Sequence, residues 1–293
     1  MNVQWYPGHM AKAKREIEEK IKLVDIVYEL VDSRIPYSSK NPMMTEILKN
    51  KYHIVILTKT SMANRSMTQK WINYYSNIGS NVIAIDSLSM ENVKKIETLT
   101  YEVLHDKIQK DLSRGLKKRA VKAMIVGIPN VGKSTLINKL VNKNVTITGN
   151  KPGVTKAQQW IRINQNLELL DTPGVLWPKF EDQKVGIHLA LTGAIKSEIL
   201  HIDDLVLYLL SFLKENYPGV ITARYDVEEY EDNIEILNAI MKKRGIHKDD
   251  YDRCFELIMN EFRNCKIGKI TLDLIWFMIF IIMRMIYIEE DIN

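Results

Sequence analysis

The chain has 293 residues, of which 46% are hydrophobic and 26% charged, and its 41 Lys and Arg against 36 Asp and Glu give a net charge of +5. This composition excludes a disordered or collagen-like chain and predicts a globular protein. The length predicts two domains, because an ordinary domain has on the order of 100–200 residues.

The two cysteines, Cys254 and Cys265, form no C-x-x-C pair, and no histidine lies near them at ligand spacing. Neither a zinc site nor a disulfide framework is therefore indicated. The N-terminus lacks the basic and then apolar pattern of a secretory signal. We expect a reduced, cytoplasmic protein.

Short apolar segments rich in Val and Ile alternate with helix-like segments over roughly the first 175 residues. In chain order we expect a helix at 11–22, a strand at 24–31, a helix at 41–49, a strand at 54–57, a helix at 66–77, a strand at 82–85, a helix at 91–109, a strand at 123–126, a helix at 134–142 and a strand at 167–170. This alternation predicts a doubly wound α/β sheet. After residue 174 the strands stop, and helical periodicity at 205–213, 233–243 and 250–262 predicts a separate all-α domain.

The segment between strand 123–126 and helix 134–142 reads GIPNVGKS and fits the P-loop pattern G-x-x-x-x-G-K-[ST] in the required strand-to-helix context. In this pattern the backbone N–H groups surround the phosphates, Lys133 reaches the β- and γ-phosphates, and the Ser134 hydroxyl binds Mg²⁺. We therefore predict that the phosphates are bound by Asn130, Val131, Gly132, Lys133, Ser134 and Thr135.

Two later segments have the composition of phosphate-sensing switches. Strand 167–170 ends in Asp171-Thr172-Pro173-Gly174, where Asp171 can reach Mg²⁺ through water and the Gly174 N–H can meet the γ-phosphate. Between this segment and the P-loop, residues 152–155 read PGVT, and Thr155 is placed to complete the Mg²⁺ shell. These segments favour a GTPase over a P-loop ATPase.

The guanine-binding segments are expected upstream of the P-loop. An ordinary GTPase of this class carries an Asn-Lys-x-Asp motif after the phosphate switch, but none follows Gly174. Strand 54–57 instead ends in TKTS and strand 82–85 in DSLS, and both precede the P-loop. The order is therefore circularly permuted, and the predicted base-binding residues are Thr58, Lys59, Ser61, Ser87 and Leu88.

Five segments carry a family resemblance: WYPGHM at 5–10, DSRIP at 32–36, the P-loop, PGVT at 152–155 and DTPGVLWPK at 171–179. Over roughly the first 190 residues the chain resembles the circularly permuted ribosome biogenesis GTPase A family (YlqF/RbgA). The resemblance implies a P-loop GTPase fold. It also implies a cytoplasmic GTPase that binds a late precursor of the large (50S) ribosomal subunit and its rRNA, with slow intrinsic hydrolysis stimulated by that particle and coupled to release.

The resemblance also implies roles in hydrolysis. The position after the Asp-x-x-Gly motif is Val175, which cannot orient water, and His9 in the matching Pro7-Gly8-His9-Met10 segment is the family's catalytic candidate. Asn130 resembles the asparagine that ligates K⁺ in related GTPases. The implied cofactors are GTP or GDP, Mg²⁺ and, as a candidate, K⁺.

The base motif departs from the family pattern at two positions. The family normally has Asp where this chain has Ser61, and usually Asn where it has Thr58. A carboxylate accepts from both N1–H and the amino group of guanine, whereas a serine hydroxyl offers one neutral contact. We therefore expect weakened GTP affinity or relaxed base choice, by roughly 1–3 kcal/mol, with phosphate binding retained.

The predicted domains are a GTPase domain at 1–177, a helical RNA- or ribosome-binding domain at 178–270 and an apolar tail at 271–293. Basic residues that could contact a polyanion are Lys107, Lys110, Arg114, Lys117, Lys118, Arg119 and Lys122, and in the helical domain Lys242, Lys243, Arg244, Arg263, Lys266 and Lys269. The alternative for each group is a solvated helix face.

The apolar run at 274–283 is too short to span a bilayer, which needs about 20 residues, so a buried segment or an oligomer contact is the expected interpretation. A membrane-associated GTPase and an RNA-binding scaffold with degraded guanine specificity are the alternative functions. The protein is expected to be a monomer away from the ribosome.

Overall fold

The structure is a computed structural model that describes residues 15–143, 159–177, 180, 182–195 and 200–275. A six-stranded sheet in the order β3-β2-β1-β4-β6-β5 is its centre. The strands are β1 (Ile26–Asp32), β2 (Tyr52–Thr58), β3 (Asn81–Ala84), β4 (Val121–Gly127), β5 (Gln159–Arg162) and β6 (Leu167–Asp171). Every pairing is parallel except that of β5 with β6. The predicted doubly wound, mostly parallel sheet is confirmed.

The helices fall into two groups, those that alternate with the strands and those that follow the last strand. Those of the sheet region are α1 (Pro42–Leu48), α2 (Arg65–Asn77), α3 (Lys95–Val103), α4 (His105–Ser113) and α5 (Lys133–Val141), and residues 15–20 are also helical. The C-terminal helices are α6 (Gln183–Leu191), α7 (Ile202–Asn216), α8 (Val220–Tyr225), α9 (Asn233–Arg244) and α10 (Tyr251–Arg263). Side chains cap several of them, as where the Asn64 carboxamide accepts from the Met67 N–H at the start of α2.

Two element predictions are wrong. The antiparallel edge strand β5 was not predicted, because only Ile161 of its four residues is buried and so short a segment has no clear period. The single helix predicted over 91–109 is instead α3 and α4. Its first residues form a turn in which Asn92 has φ 57° and its amide donates to the Ala84 carbonyl at 3.0 Å. The helix therefore begins only at Lys95.

The strand order has a reversal between β1 and β4. From β1 the chain winds outward through β2 and β3, and from β4 it winds the other way to β6. In open α/β sheets a crevice forms at such a reversal, beyond the carboxyl ends of the strands, and ligands bind there. The segments after β1, β2, β3, β4 and β6 all meet at this edge.

The helical region packs against the sheet region. One continuous cluster of buried apolar side chains runs from Ile26 in β1 to Leu272 beyond α10. Arg263, at the end of α10, donates to the carbonyls of Leu191 at 3.1 Å and Ala190 at 2.8 Å. Since both carbonyls lie at the C-terminal end of α6, this guanidinium satisfies groups that the helix itself leaves unpaired.

A polar cluster, here called the Asp273 cluster, joins five parts of the chain through Ser38, Trp71, His188, Tyr208 and Asp273. The Asp273 carboxylate accepts from the Ser38 N–H at 2.6 Å and from its hydroxyl at 2.8 Å, and His188 Nδ1 lies 2.6 Å from Asp273 Oδ1. The Trp71 indole donates to the Asp273 carbonyl at 2.9 Å, and Tyr208 Oη lies 2.8 Å from His188 Nε2.

Residues 271–275, the start of the predicted tail, therefore contact both the sheet region and the helical region. Residues 276–293 lie outside the described residues. In the part of the chain that the structure describes, no helix combines the length and the apolar character that crossing a membrane requires.

Candidate nucleotide-binding site

The P-loop lies between β4 and α5, at the reversal of strand order. Gly127 has φ 151°, and a Cβ on it would lie 2.8 Å from the Leu30 carbonyl oxygen, so only glycine fits between β4 and β1. Gly132 has φ 109° and immediately precedes α5. The loop therefore presents backbone N–H groups and the positive end of α5 at one point, as an anion site requires.

Lys133 and Asp171 are the principal charges of the phosphate side. Lys133 is buried, and its ammonium donates to the carbonyls of Gly127 at 3.0 Å and Ile128 at 2.9 Å. Burial lowers the pKa of Lys133 to about 8, although the Asp171 carboxylate counteracts part of the shift. Burial likewise raises the pKa of Asp171 to about 6, against the opposing charge of Lys133.

Asp171 fits a metal-linked role. Both of its carboxylate oxygens are buried, and neither has a hydrogen-bond partner within the described ranges. A buried carboxylate with unused lone pairs is costly unless a cation or water completes it. The described residues contain no group of three or more His, Cys, Asp or Glu side chains suited to a metal.

Gly174 brings the switch segment against the P-loop. A Cβ on Gly174 would lie 2.7 Å from both the Cα and the N of Pro129, and the Val175 N–H donates to the Gly127 carbonyl at 3.2 Å. The neighbouring Thr172 hydroxyl donates to the Ile125 carbonyl of β4 at 2.6 Å. The segment is therefore anchored to β4 by Thr172 and to the P-loop by Gly174 and Val175.

Thr58 and Lys59 connect the base loop after β2 to the P-loop. The buried Thr58 hydroxyl lies 2.7 Å from the Val131 carbonyl and 3.1 Å from that of Val31. The Lys59 ammonium donates to the Asn130 carbonyl at 2.6 Å and to Asp32 Oδ2 at 2.8 Å. Both predicted base-binding side chains thus hold the two loops together, and Thr58 has no exposed surface with which to touch a base.

Asp32, at the end of β1, holds Lys59 in place. It accepts from the Arg34 guanidinium at 3.0 and 2.7 Å as well as from Lys59. Burial opposes the ionised carboxylate, but the two cations keep the pKa of Asp32 well below its usual range. Burial also lowers the pKa of Lys59, which the charge of Asp32 partly offsets.

Ser61 stands on the exposed side of the same loop, in contact with a carboxylate from the next strand. Its hydroxyl and its N–H both donate to Oδ2 of Asp86, the second residue after β3. Asp86 Oδ1 accepts from the N–H groups of Leu88 at 2.8 Å and Ser89 at 2.9 Å. Burial would raise the pKa of Asp86, but these hydrogen bonds, led by that of the Ser61 hydroxyl, hold it below its ordinary value.

The remaining predicted residues occupy the same edge. Ser87 is buried in the turn that Asp86 closes, whereas the Leu88 side chain is 72% exposed and could cover the face of a base. Asn130 adopts φ 59°, and its amide donates to the Gly193 carbonyl at 2.6 Å. Ser134 and Thr135 lie in the first turn of α5 and are half-buried. His9 and Thr155 lie outside the described residues.

Asp32 and Asp86 are functional candidates that the sequence motifs do not indicate. Asp32 lay within the family segment DSRIP, and Asp86 within the DSLS segment, but neither had been assigned a role. The signal that could have selected them is that each follows a buried parallel strand, whose carboxyl end points to the site.

Part of the predicted basic surface is neutralised within the fold. The Arg119 guanidinium donates to both carboxylate oxygens of Asp25 at 2.7 Å, and Lys107 pairs with the same carboxylate. Lys110, Arg114, Lys117 and Lys118 are exposed. In the helical region Lys242, Lys266 and Lys269 are exposed, whereas Arg263 is directed to the end of α6. The two exposed sets, one at Lys110, Arg114, Lys117 and Lys118 and the other at Lys242, Lys266 and Lys269, could contact a polyanion.

Comparison with known proteins agrees with this site. The family model described as "50S ribosome-binding GTPase" matches residues 122–249, which include the P-loop and the switch segment. Ribosome biogenesis GTPase A of Priestia megaterium is 51% identical over 279 residues, covering 93% of this chain and 97% of that protein. The protein of the same name from Bacillus licheniformis is 50% identical over 278 residues, covering 93% and 98%.

The crystal structure of GNP-bound YlqF from T. maritima is 25% identical, with a TM-score of 0.62, and the match covers 90% of this chain and 98% of that one. The identity to the two bacterial relatives and the near-complete coverage decide the family. The chain belongs to the ribosome biogenesis GTPase A family.

Proposed function

We propose that this protein binds GTP at the reversal of strand order, hydrolyses it, and acts in the assembly of the large (50S) ribosomal subunit. The observation that carries the proposal is the direct connection between the two halves of the site. Thr58 bonds to Val131, and Lys59 bonds to Asn130, so that the permuted base loop is fastened to the P-loop. The relatives' names, ribosome biogenesis GTPase A, support the assembly role.

The phosphate side provides binding and charge compensation. Lys133 exchanges its carbonyl partners for the β- and γ-phosphates, and the Gly174 N–H donates to the γ-phosphate. Ser134 and Thr155 would hold Mg²⁺ directly, and Asp171 would hold it through water. When bound, the ion neutralises charge that develops on the phosphate oxygens.

His9 is proposed to orient the attacking water, and K⁺ at Asn130 to offset transition-state charge. The apolar residue Val175 at the position after the switch motif supports the need for another water-orienting group, because its side chain is buried and has no hydrogen-bonding atom. The exposed lysines Lys242, Lys266 and Lys269 are proposed to contact rRNA phosphates.

The experiment is cosedimentation of the purified protein with large-subunit precursors, together with GTP hydrolysis in the presence and absence of those particles. We expect binding with a non-hydrolysable GTP analogue, release with GDP, and faster hydrolysis on the particle. The His9→Ala variant should bind nucleotide normally but lose the stimulated rate, and replacing K⁺ by Na⁺ should lower hydrolysis.

Equal cosedimentation in all nucleotide states would favour the alternative, a nucleotide-insensitive RNA-binding scaffold. Unchanged stimulation in His9→Ala would remove His9 from the mechanism, and unchanged hydrolysis in Na⁺ would remove K⁺. Co-fractionation with membranes that is lost on deletion of residues 276–293 would favour the membrane-associated alternative.

A further inference from the structure

The base side of the site contains a hydroxyl and a carboxylate where the family pattern has a carboxylate alone. Ser61 is exposed at the site edge, and Asp86 lies behind it with only 2% of its surface accessible. The Ser61 hydroxyl donates its single hydrogen to Asp86 Oδ2. A hydroxyl has one hydrogen and two lone pairs, so Ser61 Oγ is left with lone pairs alone to offer.

The direction of the hydrogen bond from Ser61 to Asp86 decides which base Ser61 can bind, because it leaves Ser61 Oγ only as an acceptor. Guanine presents the N1–H and amino hydrogens on this edge, so both of its groups are donors. Adenine presents N1, an acceptor, beside its amino group. A serine free to rotate would serve either base, because its hydrogen could turn toward adenine N1. A serine whose hydrogen is held by a buried carboxylate faces adenine N1 with a lone pair, and the two acceptors repel.

We propose that Ser61 and Asp86 act as a relay that replaces the family's guanine-binding carboxylate, with Ser61 Oγ accepting from the guanine edge and Asp86 as the positioning residue that fixes its polarity. The inference rests on the proposed GTP-binding function and names its specificity determinants. It reverses the expectation that Ser61 relaxes base choice. The negative charge of the family's carboxylate is retained on Asp86, which is hydrogen-bonded to the Ser61 hydroxyl.

Asp86 is held firmly enough for this role. Oδ1 closes the turn after β3 through Leu88 and Ser89, and only Oδ2 faces Ser61. The hydrogen bond from the Thr60 N–H to the Ile85 carbonyl at 3.4 Å links the two loops beside it. The carboxylate therefore cannot turn toward the base without breaking the turn that it closes.

The test measures dissociation constants of non-hydrolysable GTP and ATP analogues on the full chain, with Asp86→Asn as the first variant. The amide oxygen can still close the turn, and the amide nitrogen then lies against Ser61 and donates to it, so the Ser61 hydrogen is turned outward. We expect the preference for GTP over ATP to fall at least tenfold, the size of a charge-assisted hydrogen bond. The exposed carboxylate of Asp106, changed in Asp106→Asn, is the matched control and should leave the preference unchanged.

Repeating the Asp86→Asn substitution in a second background separates the relay from a purely structural role of Asp86. In Ser61→Ala the hydroxyl is absent, so adding Asp86→Asn should change the preference less than twofold. An equal fall in both backgrounds would overturn the relay, because Asp86 would then act directly or through the fold. Ser61→Asp alone should weaken GTP binding, since two carboxylates would meet, and Ser61→Asp with Asp86→Asn should restore it.

Failure of the inference and failure of the proposed function give different results. If the unaltered protein binds GTP and ATP equally well, phosphate binding stands and the relay is overturned. If it binds neither, the proposed GTPase function itself fails. Ser61→Asp that binds GTP more tightly than the unaltered protein would also overturn the relay, since Asp86 would then impose no charge conflict.

Discussion

Asp171 illustrates at the scale of a single residue how a buried carboxylate at the candidate site lowers stability. Its carboxylate is buried with no hydrogen-bond partner in the described part of the chain, and burial raises its pKa to about 6 from an ordinary 3.8. The folded state therefore binds this proton more tightly than the unfolded state does. The resulting destabilisation is absent below about pH 4, grows as the pH rises, and is complete above about pH 6.

Asp171→Asn should consequently stabilise the protein at pH 7.5 when purified without nucleotide. A shift of about two pKa units corresponds to at most about 3 kcal/mol, so we expect the free energy of unfolding to rise by roughly 1–3 kcal/mol. Urea denaturation at pH 7.5 and pH 4.5 measures the effect, and the difference between variant and parent should shrink at the lower pH. The exposed Asp249→Asn serves as control, and a variant less stable than the parent at pH 7.5 would contradict the argument.

Under the proposed function the same substitution should impair hydrolysis, because Asp171 is there proposed to hold Mg²⁺ through water and an amide does so less well than a carboxylate. Stability and activity then change in opposite directions at one residue. This trade-off is common where a site requires an uncompensated charge.

At the scale of elements, the switch segment and the P-loop are in van der Waals contact through Gly174. Because a Cβ there would lie 2.7 Å from backbone atoms of Pro129, any larger residue must move one of the two loops. Backbone atoms cannot move aside as the end of a side chain can. The distance between the switch segment and the P-loop is therefore set by this contact.

Gly174→Ala should lower the affinity for a GTP analogue by roughly tenfold, the value of one hydrogen bond to a charged group, while the affinity for GDP changes little. The reason is that, in the proposed binding mode, only the γ-phosphate contacts the displaced segment. Titration with fluorescent analogues of both nucleotides measures the difference. Gly186→Ala in α6, where the nearest atom to the added Cβ is 3.4 Å away on a Phe180 ring, is the control. Equal losses for GTP and GDP would contradict this assignment.

The sequence predicted the elements unequally, for physical reasons. β1 and β4 are almost entirely buried, and their apolar runs identify them without ambiguity. The edge strand β5 buries Ile161 alone, so its pattern resembles that of a loop. The start of α3 at Lys95 instead of 91 depends on a side-chain contact from Asn92 to the end of β3, and no local periodicity indicates that contact.

The candidate site divides in the same way. The P-loop is a contiguous pattern, and its strand-to-helix context can be read from neighbouring residues. The contact of Ser61 with Asp86 crosses from one strand end to the next, over 25 residues of sequence. The TKTS segment shows only that Ser61 stands in place of the family's carboxylate, so the sequence indicated a weakened base site. It could not indicate Asp86 as the partner that supplies the charge.

At the scale of the whole molecule, the Asp273 cluster connects the sheet region to the helical region. Asp273 bonds to Ser38 in the loop after β1 and to His188 in α6, and its carbonyl receives the Trp71 indole of α2. All side chains of the Asp273 cluster are buried except that of Tyr208, which is half-buried. Removing the carboxylate leaves the Ser38 donors without their acceptor, which is more costly than losing an exposed ion pair.

Asp273→Ala should therefore lower the free energy of unfolding by about 2–4 kcal/mol. Urea denaturation followed by tryptophan fluorescence is the measurement, since Trp71 is buried in the folded protein and becomes exposed on unfolding. Asp249→Ala, which removes an exposed carboxylate beside His247, should change stability by less than about 0.5 kcal/mol. An equally small effect at Asp273 would show that the cluster adds no net stability.

The strand order also determines when the protein becomes competent during its own synthesis. The base-side strands β1, β2 and β3 are consecutive both in the chain and in the sheet, so they can pair as soon as residue 84 has left the ribosome. The phosphate side requires β4 to join β1 and β6 to join β4, and its last contact is made by Gly174. A nascent chain can thus pair its base-side strands before the P-loop residues that fasten the base loop, Asn130 and Val131, are available. Capture of GTP is deferred until the sheet has been closed from its second side.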